Sequence, residues 1–223
     1  DVKTIADLKA TGAKVRYFGG TAYMDYFTST GILDQAQVDG SYDGTPANFV
    51  ADGGKSAQQG FATSEPYFYE NVLTDWGKPV AYQTIHDAGW TSYAQTLAAK
   101  PETIVSAADC LKLLVPIIQQ AQVDYVADPS TTNALILDLV AQYNNGWMYD
   151  AGQADAAVAL ALENGLIANS PDGTLGSFDS QRMDEFLALA IPIFEGLGEK
   201  LKPGLTSADL ATNQFIDPTI ALP

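Results

Sequence analysis

The chain carries one cysteine, Cys110, and one histidine, His86, in 223 residues. A single cysteine excludes an internal disulfide and any cysteine-based metal cluster. A single histidine excludes a metal site built from several imidazoles. Cys110 opens into an apolar run, Leu111 to Ile118, which predicts a buried structural thiol rather than a nucleophile. Cations are scarce too: 11 lysines and arginines, with Arg16 and Arg182 the only arginines, face 27 acids for a formal net charge of -16. A surface that negative repels phosphate backbones and anionic lipid, which argues against nucleic acid and membrane-surface partners. Acidity alone selects no ligand; its plain consequence is solubility. No apolar stretch reaches the roughly 20 residues that cross a bilayer. No signal peptide is visible, and the chain starts at Asp1 rather than Met, so the expectation is a processed chain or a fragment.

What is present is enough apolar material, 47% of the residues, for a packed interior of one substantial domain or two small lobes. Residues 1 to about 75 alternate short strands with helices. Ile5 to Leu8 reads as a helical lead-in, Lys14 to Phe18 as a strand, and Ala22 to Thr30 as a helix stopped by Gly31. A second strand is expected over Val38 to Tyr42, a short helix over Asn48 to Ala51, and a third strand over Gln59 to Thr63. This rhythm is that of a parallel α/β sheet. One further strand pair is expected at Val80 to Ile85 and Tyr93 to Ala98. Beyond it the pattern is helical: the Leu111–Ile118 run bent at Pro116, then Thr131 to Tyr143, Asp155 to Leu162 and Ser180 to Phe194. Asp128 and Asp179 stand where polar caps belong. The Pro, Asp and Gly content of 169–176 predicts the most mobile loop.

The order of certain short motifs resembles one family. Ile5-Ala6-Asp7-Leu8-Lys9, a strand, a Gly-Gly-Thr turn and a helix are similar to the stretch by which type II solute-binding proteins of ABC importers enter their second lobe. Phe61-Ala62-Thr63-Ser64-Glu65-Pro66-Tyr67 resembles the strand and Glu-Pro turn by which they leave it. Lys100-Pro101-Glu102 resembles the start of the helical section of their first lobe. The subgroup is that of nitrate, sulfonate, taurine and thiamine-pyrimidine-precursor binders. The resemblance implies a two-lobe, three-layer αβα architecture with a helical C-terminal section: residues 1–75 as lobe 2, and 76–223 as part of lobe 1 plus that section. It further implies capture of a small molecule, an ABC permease as partner, a monomer, no cofactor and a periplasmic or extracellular place, with lipid anchoring open. The family's first segment of lobe 1 is absent, so the expectation is that part of the cleft lies outside this numbering. The strands at 80–98 would then show an exposed edge or apolar patch beside them.

Candidate ligand residues follow from where α/β sheets bind, beyond the carboxyl ends of strands, where helix N-termini offer free N–H groups. Gly20, Thr21 and Tyr23 stand at one such place, and Thr45 and Asn48 at another; both read equally as ordinary turns and caps. Neither is a phosphate loop, because no Gly-Lys-Ser/Thr follows. Glu65 and Tyr67 flank a rigid proline turn and pair an acid with a ring, which suits a cationic or hydrogen-bond-donating ligand; a surface acid near a hinge is the plain alternative. Asp87 and Trp90 lie in a loop that is either binding or structural. His86 and Asp87 do not form a catalytic pair on a strand, since neighbours there point to opposite faces. Few arginines argue against sulfonate or nitrate. Two other functions stay open: a pyrimidine-precursor-synthase-like enzyme, whose cysteine-rich motif is missing here, and the ligand-sensing domain of a transcriptional regulator.

Overall fold

A computed structural model describes residues 2–223. The chain divides into two compact units, residues 1–92 with 186–204, and residues 93–185 with 205–223.

The first unit is built on a three-stranded parallel sheet. Strands β1 (Val15–Arg16), β2 (Val38–Asp39) and β3 (Ala57–Gln58) lie in the order β2-β1-β3. Val15 stands opposite Val38 on one side and Ala57 on the other. The fold is therefore α/β, as the strand–helix alternation predicts. The short helix α1 (Asp7–Thr11) precedes the sheet, α2 (Ala22–Ser29) joins β1 to β2, and α3 (Ala47–Ala51) joins β2 to β3. On α2, Met24 and Phe27 point inward to meet Leu8, Val15 and Leu33, which form the buried core of this unit. A buried amide also fixes it: Gln37 donates to the carbonyls of Leu8 at 3.1 Å and Ala13 at 2.9 Å, and accepts from the amide of Asp34 at 2.9 Å. Its neighbours are thus held without an unsatisfied polar atom, which burial would penalise.

Several expectations need correction. The third strand lies two residues earlier than predicted, and 61–64 is a turn that leads into α4 (Glu65–Tyr67) and a π-helical turn over Phe68–Val72. No strand forms over 80–85 or 93–98. The first of these segments is tied through the Gln83 carboxamide, which accepts from the Ile5 amide at 2.7 Å, and then folds into a turn around Thr84. In the second, Gln95 takes a left-handed backbone (φ 56), which an extended strand does not accommodate. The anticipated sheet edge there accordingly does not exist. Exposed apolar side chains gather instead on two helices of the second unit, with Leu113 and Ile117 on one and Leu135 on the next. Finally, Cys110 is exposed, because the helix turns Gln119, and not its thiol, inward.

The second unit is helical: α5 (Pro101–Ser106), α6 (Ala108–Ala127), α7 (Ser130–Tyr143), α8 (Ala151–Glu163) and α10 (Ser207–Leu210), with α9 (Ser180–Gly196) divided between the units. Helix α6 continues through Pro116. Asp128 accepts from the amide and hydroxyl of Ser130, and Asp179 from the amides of Gln181 and Arg182, as the cap positions predict. Residues 169–176 are not a loose loop. Asp172 accepts from the amide of Thr174 and the hydroxyl of Ser177, Leu175 is buried, and its amide donates to Ile220. Gln119 pins the same loop, donating to the Leu175 carbonyl at 2.8 Å and accepting from the Asp217 amide at 2.9 Å.

Phe27 is 1% exposed. Phe27→Ala is expected to cost about 3–5 kcal/mol in denaturant unfolding, the range for emptying a well-packed aromatic site. The folded protein is also expected to react with a thiol reagent at Cys110 without denaturant; protection of that thiol until unfolding would contradict its exposed position.

Candidate functional site

The chain passes from β1 to β2 on one side of the sheet, and then to β3 on the other. This makes the carboxyl ends of β1 and β3 the topological switch point, where open α/β sheets form a crevice. From β1 the chain continues through Tyr17, Phe18, Gly19 and Gly20 into α2; from β3 it continues through Gln59, Gly60 and Phe61 to Glu65. The Gln59 amide donates to the Arg16 carbonyl at 2.8 Å, and the Gln59 side chain bridges the two ends further on. The Gln59 carbonyl oxygen accepts from the Phe18 amide at 3.0 Å and from the Tyr23 hydroxyl at 2.5 Å. Both lone pairs are thereby used, and the amide nitrogen of Gln59 makes no hydrogen bond to another described residue.

The surrounding groups are of two kinds. Donors come from the first turn of α2, where the Met24 amide donates to the Thr21 carbonyl at 3.1 Å but Thr21 supplies no side-chain cap to the amides of Ala22 and Tyr23. Gly20, with φ 85, makes the turn that sets this helix at the strand end. Thr21 spends its hydroxyl on the Phe18 carbonyl at 3.2 Å. The acceptor is Glu65, one of whose oxygens takes the Phe61 amide at 2.6 Å. Its side chain lies over Gly60, where an added Cβ would stand 3.1 Å from the carboxyl carbon. Phe18 and Phe61 leave ring surface exposed at the two strand ends.

Behind Glu65 is an aromatic cluster. Gln58 donates to the hydroxyls of Tyr69 at 2.8 Å and Tyr42 at 3.2 Å, and Phe49 packs edge-on against Tyr69. Burial, reinforced by the Glu65 charge and then that of Asp43, pushes the Tyr42 hydroxyl up to about 12. Burial raises Tyr69 as well, followed by the influence of Tyr42 and Glu65. Tyr23 also rises, mainly through burial.

The structure brings together Gly20, Thr21, Tyr23 and Glu65 of the residues singled out in the sequence. Thr45 lies after β2 in a turn of its own, its amide and hydroxyl both bonded to Asp43 at 2.9 and 2.8 Å. Asn48 is exposed on α3, and Tyr67 is half-buried on α4. Asp87 is exposed in the turn capped by Thr84. Trp90 is buried between Tyr26 and Phe186, at centroid distances of 5.7 and 4.9 Å, so its ring is part of the packing. Gln59, Phe18 and Gln58 were missed. A Gln-Gln pair at a strand terminus was the available signal, because a carboxamide there can bridge one strand end to the next.

Among the described residues, no group of three or more His, Cys, Asp or Glu could hold a metal ion, and no helix is long and apolar enough to cross a membrane. The arrangement suits recognition: amide donors, one carboxylate and two open rings at one strand edge. Compared with known proteins, the chain matches no family model, no curated protein and no solved structure at a significant level.

The raised Tyr42 hydroxyl has a defined alkaline signature. A tyrosine whose folded pKa exceeds its ordinary 10.0 contributes stability that is full below pH 10 and is lost as pH rises towards about 12. Ultraviolet titration is expected to show tyrosine ionising late in the native protein. Tyr42→Phe should remove one equivalent from that late fraction; an unchanged late fraction would contradict the assignment.

Proposed function

We propose that this protein captures a small polar organic solute, without chemically altering it, for delivery to an ABC importer. The finer architecture, a two-lobe type II solute-binding fold with αβα layers, belongs to the same proposal. The observation that carries it is the Gln59 bridge at the switch point, which leaves an unspent amide donor among helix N-terminal N–H groups, a carboxylate and exposed rings. These groups orient a ligand by hydrogen bonds and ring contact, the usual composition of a small-molecule site. The motif order around Gly19-Gly20-Thr21 and Ser64-Glu65-Pro66 supports the family reading, and a periplasmic or extracellular location with a permease partner follows from it.

Arg16, the last residue of β1, spends its guanidinium on Ser56 and Asp52, and segments 17–23 and 59–65 contain no Lys, Arg or His, which directs the choice of solute. An anion would meet the Glu65 carboxylate with only neutral donors to hold it, whereas a neutral or cationic ligand with an acceptor beside a donor is complementary to Gln59 and Glu65.

Native mass spectrometry of protein purified without denaturation is expected to show a retained small molecule of unchanged mass after incubation. Calorimetry with that molecule should give a loss of about 0.5–1.5 kcal/mol for Gln59→Ala and about 1.5–3 kcal/mol for Glu65→Gln, the ranges for neutral and charged hydrogen bonds. His86→Ala should leave the molecule intact. Full affinity in both site variants, or a product that disappears with His86→Ala, would defeat the reading.

A further inference from the structure

A groove of about 590 Å³ lies in the first unit between the carboxyl-terminal ends of α2 and α9, and it shares no residue with the sheet-end site. We propose that it is a docking surface for a protein partner presenting an amphipathic helix with a cationic side chain set among its apolar ones. The inference does not rest on the solute-capture reading.

One wall is apolar. Leu189, Pro192, Ile193 and Leu197 follow the spacing i, i+3, i+4, i+8, so they form one stripe along α9 and its end. Leu197 is 52% exposed, an apolar side chain left at the rim. Pro192 has no N–H and cannot bond the carbonyl one turn earlier, so the helix has lost a rung along this stripe. A stripe of this spacing matches the way a partner helix seats its own i, i+3, i+4 anchors in a groove.

The other wall sets the sign of the charge. Asp25, half-buried on α2, has a carboxylate with no hydrogen bond or ion pair to another described residue, and the lining contains no Lys, Arg or His. The hydroxyl-bearing 28–30 segment adds acceptors near it. Lys9 already meets the carboxyl end of α2, its ammonium donating to the Gly31 carbonyl at 2.9 Å, so the open negative charge is that of Asp25 and of the α9 end, where helix carbonyls carry partial negative charge. A purely apolar occupant would cover Asp25 without a counter-charge, at a desolvation cost. A second copy of this chain would bring a further net charge of -16 against the same negative face. A helix with a lysine or arginine beside its apolar anchors satisfies both walls.

The test uses the full chain and two synthetic helical peptides of about 14 residues with identical leucine spacing, one with a central lysine and one with glutamate there. Calorimetry should show the lysine peptide binding and the glutamate peptide at least about tenfold weaker, with amide shifts in a nuclear magnetic resonance titration confined to 25–35 and 189–197. Asp25→Asn should weaken the lysine peptide about tenfold and close the gap between the two peptides. Leu197→Glu, at a rim position with half its side chain exposed, should abolish binding of both while leaving the far-ultraviolet circular dichroism of the protein unchanged. Equal affinity for the two peptides, shifts centred on α6 and α7, or no binding at millimolar peptide would overturn the proposal. A dimer in sedimentation that Leu197→Glu dissolves would also overturn it, by identifying a second copy as the occupant.

Discussion

At the carboxyl end of the sheet, backbone bonds from Gln59 to Arg16 at 2.8 Å and from Tyr17 to Asp39 at 3.0 Å are carried further by one side-chain carbonyl oxygen. Each strand contributes only two residues to the ladder, so the strands alone offer few hydrogen bonds to hold β1 and β3 in register beyond Arg16 and Gln58. The Gln59 side chain extends that register, taking the Phe18 amide from the chain leaving β1 and the Tyr23 hydroxyl from the second residue of α2. Strand end, turn and helix start are thereby fixed to one atom. The Thr21 hydroxyl, which donates to the Phe18 carbonyl at 3.2 Å, closes the same Gly19–Gly20 turn from the helix side. Neutral carboxamides do comparable work elsewhere: Gln37 joins α1 to the chain before β2, and Gln119 joins α6 to the 169–176 loop. A chain without a disulfide gains long-range ties from such amides, and in the buried Gln37 and Gln119 both ends of the carboxamide are hydrogen-bonded.

The surplus of acid is managed locally. Asp39 with Ser41, Asp43 with Thr45, Asp128 with Ser130, Asp172 with Thr174 and Asp217 with Thr219 repeat one device, a carboxylate that accepts from the residue two positions on. Exposed ion pairs such as Lys9 with Asp34 at 3.1 Å contribute little. The short turns do more: hydrogen bonds from Ser41, Thr45, Ser130, Thr174 and Thr219 hold their carboxyls below the ordinary 3.8. Because these folded-state values are lowered, the associated stability is present above pH 3.8 and is lost as pH falls through each lowered value. Acidity therefore shapes the loops even though it selects no fold.

The legible part of the sequence was the part written in periodicity and turn chemistry. Met24 and Phe27 fall on the inward face of a helix bounded by Thr21 and Gly31, and the helices at 130–143 and 180–196 lie where apolar spacing put them. Val80 to Ile85 alternates like a strand but has no strand to pair with, and pairing is a tertiary fact that alternation cannot report. Cys110 failed for a similar reason: α6 is apolar nearly all round, so composition does not say which side turns inward, and the buried position went to polar Gln119. The 169–176 loop looked mobile from its glycines and proline, yet Asp172 supplies its internal bonds and Leu175 its anchor. At the site, the Gly-Gly-Thr turn and the Glu-Pro turn were readable as punctuation. Gln59 was not, because its role lies in reaching across to a chain segment 41 positions away.

The same geometry bears on what the sheet end can recognise. Glu65 spends one carboxylate oxygen on the Phe61 amide, which fixes its direction and leaves the other oxygen as the remaining acceptor. Gln59 is the reverse case: its oxygen is fully used, and only its nitrogen remains. Gln59 is restricted to donation by its structural bonds and the Glu65 carboxylate only accepts, so the pair cannot exchange donor and acceptor to suit an incoming molecule. Such restriction lowers the ordering cost of binding and makes a ligand with the wrong polarity leave a polar group unpaired. With the net charge of the chain adding a negative field, the complement on the proposed reading is a neutral or cationic molecule that offers an acceptor to Gln59 and a donor to Glu65. On the same proposed reading, selectivity at this strand edge comes from the bonds that build the fold, since the atoms left over from folding are the ones available for recognition.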